Sequence, residues 1–429
     1  MKKKLLFILL AVCLIIPSTL MFTACDDGDN GTGGHKHVYA GQTYYKVDDG
    51  KAYSYKLCEC GEDGKVEKLT NYVIATPNNA QNVLDGSLGK LSGKTVVFAD
   101  GDYSHLKLRS SRNTLNKIYE YNYENPQDLS VEVDLSEISP DSGIYHYQRE
   151  LKNVKFVATN NANFNGLISI QSKHYGEIPW ENDVWTGVAT ETIHSYDIVR
   201  GVTCDDVVYN NTIEEGDLGY VDHITLEGVT FENMKFSGVN GRILIATETE
   251  EKIKDLTFTN CIFETEESYV NSRNAGYAAI VITHRDNGVK PTRENITVNG
   301  CEINGHYQGI YIDQIKNATV TNNIVQNTDH NAFAIQADVT GDILIDGNYV
   351  VNTGDRAIRF GTCNDVEATI SNNMFVSAVD GENEIFKTQP SENTTVTFIS
   401  NGYEGVEIED DTYTATEQEP KIVVTITNN

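Results

Sequence analysis

The chain has 429 residues, of which 33 are basic and 62 acidic, for a formal net charge of -29. Hydrophobic residues make up 39% of it, enough for a real core, which excludes global disorder. The charge argues against a nucleic-acid partner, because phosphate binding needs a basic face. An anionic polymer would be met only through a local basic patch or a bridging metal.

The first residues read MKKKLLFILLAVCLIIPSTLMFTAC. Lys2, Lys3 and Lys4 form a basic segment, and Leu5 to Ile16 is an apolar run too short to span a bilayer in a mature protein. Thr23-Ala24-Cys25 then resembles a bacterial lipoprotein signal, with Phe22 where that family usually has Leu. The resemblance implies a signal over 1–24, a lipid on Cys25, and a bacterial extracytoplasmic protein anchored to a membrane through that lipid alone, at the cell surface or in the periplasm. An ordinary secretory signal with an incidental cysteine is the alternative. DDGDNGTGG follows within 25–34, acidic, Gly-rich and coreless, as a flexible tether should be. Cys204, Cys261, Cys301 and Cys363 stand singly in strand-like text and read as buried thiols.

A small module is expected over 35–70. His35 and His37 precede Cys58 and Cys60, and the text between them reads as a hairpin turning at Asp-Asp-Gly. Two His and two Cys are the ligand set of a closed tetrahedral zinc site. The stretch resembles short His-x-His and Cys-x-x-Cys-Gly repeats of secreted bacterial proteins, except that this pair is the tighter Cys-x-Cys. A structural zinc, a strained disulfide and idle thiols all remain open.

From Gln81 the text changes. NNAQNVLDGSLGKLSG predicts a short helix ended by glycine, and KTVVFADGDYSHLKL predicts strand, Asp-Gly turn, strand. Strand phrases then recur, as in ITVNGCEI (296–303), ATVTNNIV (318–325), ILIDGNYV (343–350) and ATISNNMF (368–375). Matching positions are Gly228, Asn260, Gly300, Asn322, Gly347 and Asn372, and the last three steps are 22, 25 and 25 residues. Short strands at such a period predict an all-β solenoid, a right-handed parallel β-helix over 71–415 with a C-terminal tail over 416–429. Ile243, Ile280, Ile310, Ile335, Ile358 and Ile385 are expected to form one inner ladder. Asn and Gly fall at the bends because they tolerate left-handed dihedrals. The architecture, with its short N-terminal capping helix, resembles the pectin-lyase-like superfamily, and a monomer is expected.

In that superfamily the outward face of one sheet binds sugar chains. Here the outward positions predict a stripe of Tyr311, Asp313, Gln336, Asp338 and Arg359, bordered by long insertions at 265–277 and 284–295. Polysaccharide is therefore the expected partner, with Tyr311, Gln336, Arg356, His284 and Arg285 as contacts. Asp313 and Asp338, if neighbours on adjacent coils, would serve as acid and nucleophile or base on a glycosidic bond. They would equally hold calcium, with Arg359 or Lys316 serving a β-elimination. Solvated turn carboxylates on a non-catalytic adhesion or scaffolding stalk are the alternative. Gly305-His306 and Gln314-Ile315-Lys316 resemble fragments of the polygalacturonase motifs, but lie on one coil where that family needs two. RAIRFG (356–361) resembles the Arg-bearing strand of the alginate lyase and chondroitinase B family, without its preceding outward Lys. His194, His223, His284 and His330 are scattered over separate coils and read as surface residues.

Overall fold

The computed structural model describes residues 41–427 except 59–63, 87, 109–116, 126–127, 135–143, 172–173, 177–179, 182–183, 186–218, 239, 248–251, 266–277, 285–292, 337, 377–384, 388–392, 405–411 and 415–421. Each coil contributes one strand to each of three parallel sheets. In one coil the first sheet takes Arg293–Asn299, the second Glu302–Asn304 and the third Gln308–Asp313. The next coil repeats this with Lys316–Thr321, Ile324–Gln326 and Phe333–Gln336. Alternating side chains fill the interior. Phe231 stacks on Phe258 at 5.2 Å between centroids, and Phe236 on Phe263 at 4.7 Å. Such ring ladders follow from the spacing of paired strands.

The bends explain the Asn and Gly of the repeat. Between the first and second sheets, Asn233, Asn260, Gly300, Asn322, Gly347 and Asn372 all have positive φ, from 51 to 66°. Gly228 belongs instead to a second left-handed column within the first sheet, with Asp255, Asn295, Asn317 and Gly341. Glycine is needed beside asparagine for lack of space. A Cβ on Gly300 would lie 2.6 Å from Asn260 Oδ1, and one on Gly347 2.9 Å from Asn322 Oδ1. One residue further in, Asn323, Asn348, Asn373 and Asn401 form a ladder. Asn323 Nδ2 donates to Asn348 Oδ1 at 2.9 Å, Asn348 Nδ2 to Asn373 Oδ1 at 2.8 Å, and Asn373 Nδ2 to Asn401 Oδ1 at 3.0 Å. Cys261 and Cys301 continue this column as buried residues, as expected of them; Cys363 is buried too, while Cys204 lies outside the described residues.

The inner ladder differs from expectation at two rungs. Ile310 pairs with Phe333, not Ile335, and Ile358 with Phe386, not Ile385. Ile335 lies beside Ile312. At Phe333 the shift is of two residues, which leaves the inward face unchanged, so alternation alone does not reveal it; at Phe386 it is of one.

The ends are also informative. The capping helix is Ala80–Leu84, and Gly86 follows it with φ 77°. At the other end Ile422–Thr427 pairs parallel with Thr394–Ile399, so the segment assigned to a tail returns to the first sheet. The predicted hairpin is present as Thr43–Asp48 and Lys51–Lys56, turning through Asp49 and Gly50, both at positive φ. It packs on the solenoid. Tyr45 and Ala52 are buried with Val97 and Val157 of the first sheet's outer side. Lys155 Nζ binds Glu232 at 2.6 Å and donates to the Tyr45 hydroxyl at 2.8 Å, and that hydroxyl donates to Glu232 at 3.0 Å.

Candidate functional site

The outer side of the third sheet is organised in columns. Leu244, Val281, Tyr311, Ala334 and Arg359 align on successive coils. Ala334 therefore takes the place expected for Gln336. In the next outward column Thr283 is bonded to Asp313, and Asp313 aligns with Gln336. Asp338 is not the neighbour of Asp313. It lies past the strand end at a left-handed corner, φ 53°, as Gln314 does one coil earlier, φ 51°. The cause is the same two-residue shift.

Tyr311 and Asp313 of the expected stripe are also not solvated. Leu167, Leu244, Ala278, Val281, Tyr311 and Ala334 form an apolar cluster separate from the main core, with Tyr311 only 4% exposed. Asp313 is fully buried. Arg293, equally buried, donates to the Asp313 carbonyl at 3.2 Å and to the Thr283 carbonyl at 2.8 Å, with its Nη1 3.7 Å from Asp313 Oδ1. Thr283 Oγ1 donates to Asp313 Oδ2 at 2.9 Å. A carboxylate so enclosed serves the corner between sheets. Its neighbour on the next coil is Gln336, so no second carboxylate is aligned with it there.

The polar groups gather instead where the second sheet turns into the third. Tyr307 stacks on His330, centroids 5.3 Å apart at 31°. His330 Nε2 lies 3.1 Å from Asp355 Oδ2, and Asp355 also binds Arg356. The Asn331 amide donates to His330 Nδ1, so Nε2 carries the proton that Asp355 accepts. Burial holds the His330 pKa below its ordinary value; Asp355 opposes this, while Arg359 and Arg356 reinforce it. The imidazole is thus neutral with both nitrogens engaged, and it orients Asp355 and Arg356. Arg359 is different. It is half-buried, forms no ion pair among the described residues, and its buried Nε has no hydrogen-bond acceptor. Asn331 Oδ1 and Gln308 Oε1, one coil apart, are likewise buried acceptors without a donor. His330 was read from sequence as a scattered surface residue. Its partner Asp355 lies 25 residues on, one repeat away, which is the signal that would have found it.

The other expected residues lie apart. Lys316 is exposed and belongs to the first sheet, paired with Glu294 and Thr340. The Gly305-His306 fragment holds a buried histidine, His306, facing the Gly241 carbonyl at 3.3 Å. The backbone of His284 ends the strand Ala278–His284. Arg285, Cys25, His35, His37 and Cys60 lie outside the described residues, and Cys58 is buried beside the hairpin. Among the described residues no group of three or more His, Cys, Asp and Glu is placed to hold a metal.

The stacked parallel sheets, capping helix and left-handed corner columns define a right-handed parallel β-helix. Solved structures similar to this chain include a family 28 exopolygalacturonase from Yersinia enterocolitica, at 13% identity and TM-score 0.35, over 84% of this chain and 73% of that one. The surface adhesin PfbA of Streptococcus pneumoniae is 13% identical with TM-score 0.30, over 81% and 95%. A mannuronic acid specific family 6 polysaccharide lyase from human gut microbiota is 8% identical with TM-score 0.26, over 78% and 82%. No protein-family model matches the chain, and no curated protein matches its sequence. At such identities these structures supply no residue roles.

Proposed function

We propose that this chain is an extracytoplasmic, lipid-anchored protein that binds a carboxylate-bearing polysaccharide at the Arg356–Arg359 end of its third sheet. The observation that carries the reading is Arg359: an outward guanidinium without an ion-pair partner among the described residues, its buried Nε lacking an acceptor. A buried orphan donor is costly, about 1–3 kcal/mol, and calls for an acceptor. A uronate carboxylate fits the planar fork of a guanidinium, and the half-buried Tyr307 ring offers an apolar surface to a pyranose face. In a chain of net charge -29, a local pair of arginines is the kind of feature through which a polyanion is met.

Binding is favoured over cleavage. Asp313 is bound to Arg293 and Thr283, Asp338 is not its neighbour, Lys316 is on another sheet, and His330 has no vacant nitrogen. The test is titration of the signal-free protein with polygalacturonate, polymannuronate and a neutral glucan, using wild type and Arg359→Ala. Saturable binding of a uronate polymer, weakened at least about tenfold by Arg359→Ala, is expected. Equal binding by the variant would overturn the site. Absorbance near the wavelength of unsaturated uronates, growing with time, would restore a lyase.

A further inference from the structure

The third sheet changes character abruptly along its length. In one outward column Ser169, Leu244, Val281, Tyr311 and Ala334 are buried, and solvent reaches the row at Lys107 on the N-terminal side and at Arg359 on the C-terminal side. In the column at the strand starts Gln308 and Asn331 are buried, and exposure begins at Arg356. Both columns open at the same coil. These residues lie on the outward face, since their strand neighbours Ile243, Ile280, Ile310 and Phe333 fill the main core. The outward side chains are therefore shut off from solvent over the strands from Leu167–Gln171 to Phe333–Gln336, roughly 20 Å at the spacing of paired strands. Beyond it, among the described residues, the sheet continues only through Ile358–Phe360 and Phe386–Lys387.

A pyranose unit and one coil advance by similar distances. A sugar polymer running along the axis past Arg359 would meet the closed face within a unit or two. We infer that the site receives a chain end: the terminal uronate sits at Arg356 and Arg359, and the polymer leaves toward the C-terminal coils. This rests on the polysaccharide reading above and adds to it a requirement for a terminus, not a stretch of interior chain.

The experiment uses the same signal-free protein and two size fractions of one uronate polymer, the longer about tenfold the length of the shorter. For an end-reader, half-saturation depends on the molar concentration of chains. At equal mass the longer fraction should then bind about tenfold more weakly, and this is the expected result. Borohydride reduction of the reducing termini identifies the end: loss of binding assigns the reducing end, and retention the non-reducing end. Half-saturation at equal mass for the two fractions would overturn end recognition while leaving the Arg359 site standing, provided Arg359→Ala still weakens binding. No binding of either fraction would overturn both.

Discussion

Arg293 and Asp313 begin and end the strands of one coil and share one fully buried corner, the arginine bonded to the aspartate carbonyl and 3.7 Å from its carboxylate. Asp313 thus neutralises the guanidinium that ties the end of the third sheet to the start of the first. Removing one partner of a buried ion pair leaves the other uncompensated, at about 3–5 kcal/mol. Asp313→Ala should lower stability by that order, with a matching drop in the urea midpoint. Asp338→Asn, at a half-buried corner outside that ion pair, should cost clearly less, about 1 kcal/mol or below. Similar midpoints for the two variants would contradict this assignment.

The amide ladder should be strongest in its middle. Asn348 donates to Asn373 and to the Val320 carbonyl, and accepts from both the backbone and the side chain of Asn323. Asn348→Ala orphans several buried groups, each costing about 1–3 kcal/mol. We expect a loss of about 3 kcal/mol or more. Asn401→Ala, at the last rung, should cost clearly less, and thermal melts of the two variants decide the order.

Alternation of Asn and Gly at the corner predicts coupling. Gly300→Asn places a side chain where Asn260 already lies, and it should destabilise by about 1–3 kcal/mol. Adding Asn260→Gly should recover at least about 1 kcal/mol, because the pair is then merely exchanged. Strict additivity in a double-mutant cycle would show that the two positions do not compete for space.

Acid should weaken the fold through His146. This ring is buried, stacks on Tyr121 at 4.9 Å, and has Nδ1 2.8 Å from His223 Nε2. Burial, with His223 adding to it, pushes its pKa down to about 3. The folded-state value is depressed, so between pH about 6.5 and about 3 the unfolded chain holds a proton that the folded chain refuses. Stability should fall as pH drops through that window, by about 1.4 kcal/mol per pH unit for this group. His146→Phe, which keeps the ring stack, should flatten the pH dependence between about pH 6 and about pH 4 by that slope. An unchanged slope would assign the acid sensitivity to other groups, His306 first, whose pKa burial lowers to about 4.

The solenoid was legible because its physics is local and repeated. Asn322, Gly347 and Asn372 recur at 25-residue steps because each coil must bend in the same place with the same dihedral. The Asp-Asp-Gly hairpin and the capping helix were legible for the same reason. The register of Phe333 was not, since alternation has period two and a slip of two residues preserves it. Nor was the burial of Tyr311, because what encloses an outward residue is not written in its own strand. Asp313 read as a surface carboxylate for want of Arg293, which precedes it by 20 residues and meets it only when the coil closes. Gly228 was aligned with the wrong column because two left-handed columns run only a few residues apart.

The docked hairpin fixes a distance. Gln42 donates to Asn233 at 2.5 Å, and Asn233 donates in turn to the Thr43 carbonyl. Gln42 and Thr43 are therefore fastened beside the coil that begins at Thr230, whereas Arg359 lies on the coil of Val339–Asp346, four strands further along the first sheet. That is roughly 20 Å of rigid rod. The docked hairpin is thus kept that far from the arginines, with the solenoid as a spacer as well as a scaffold.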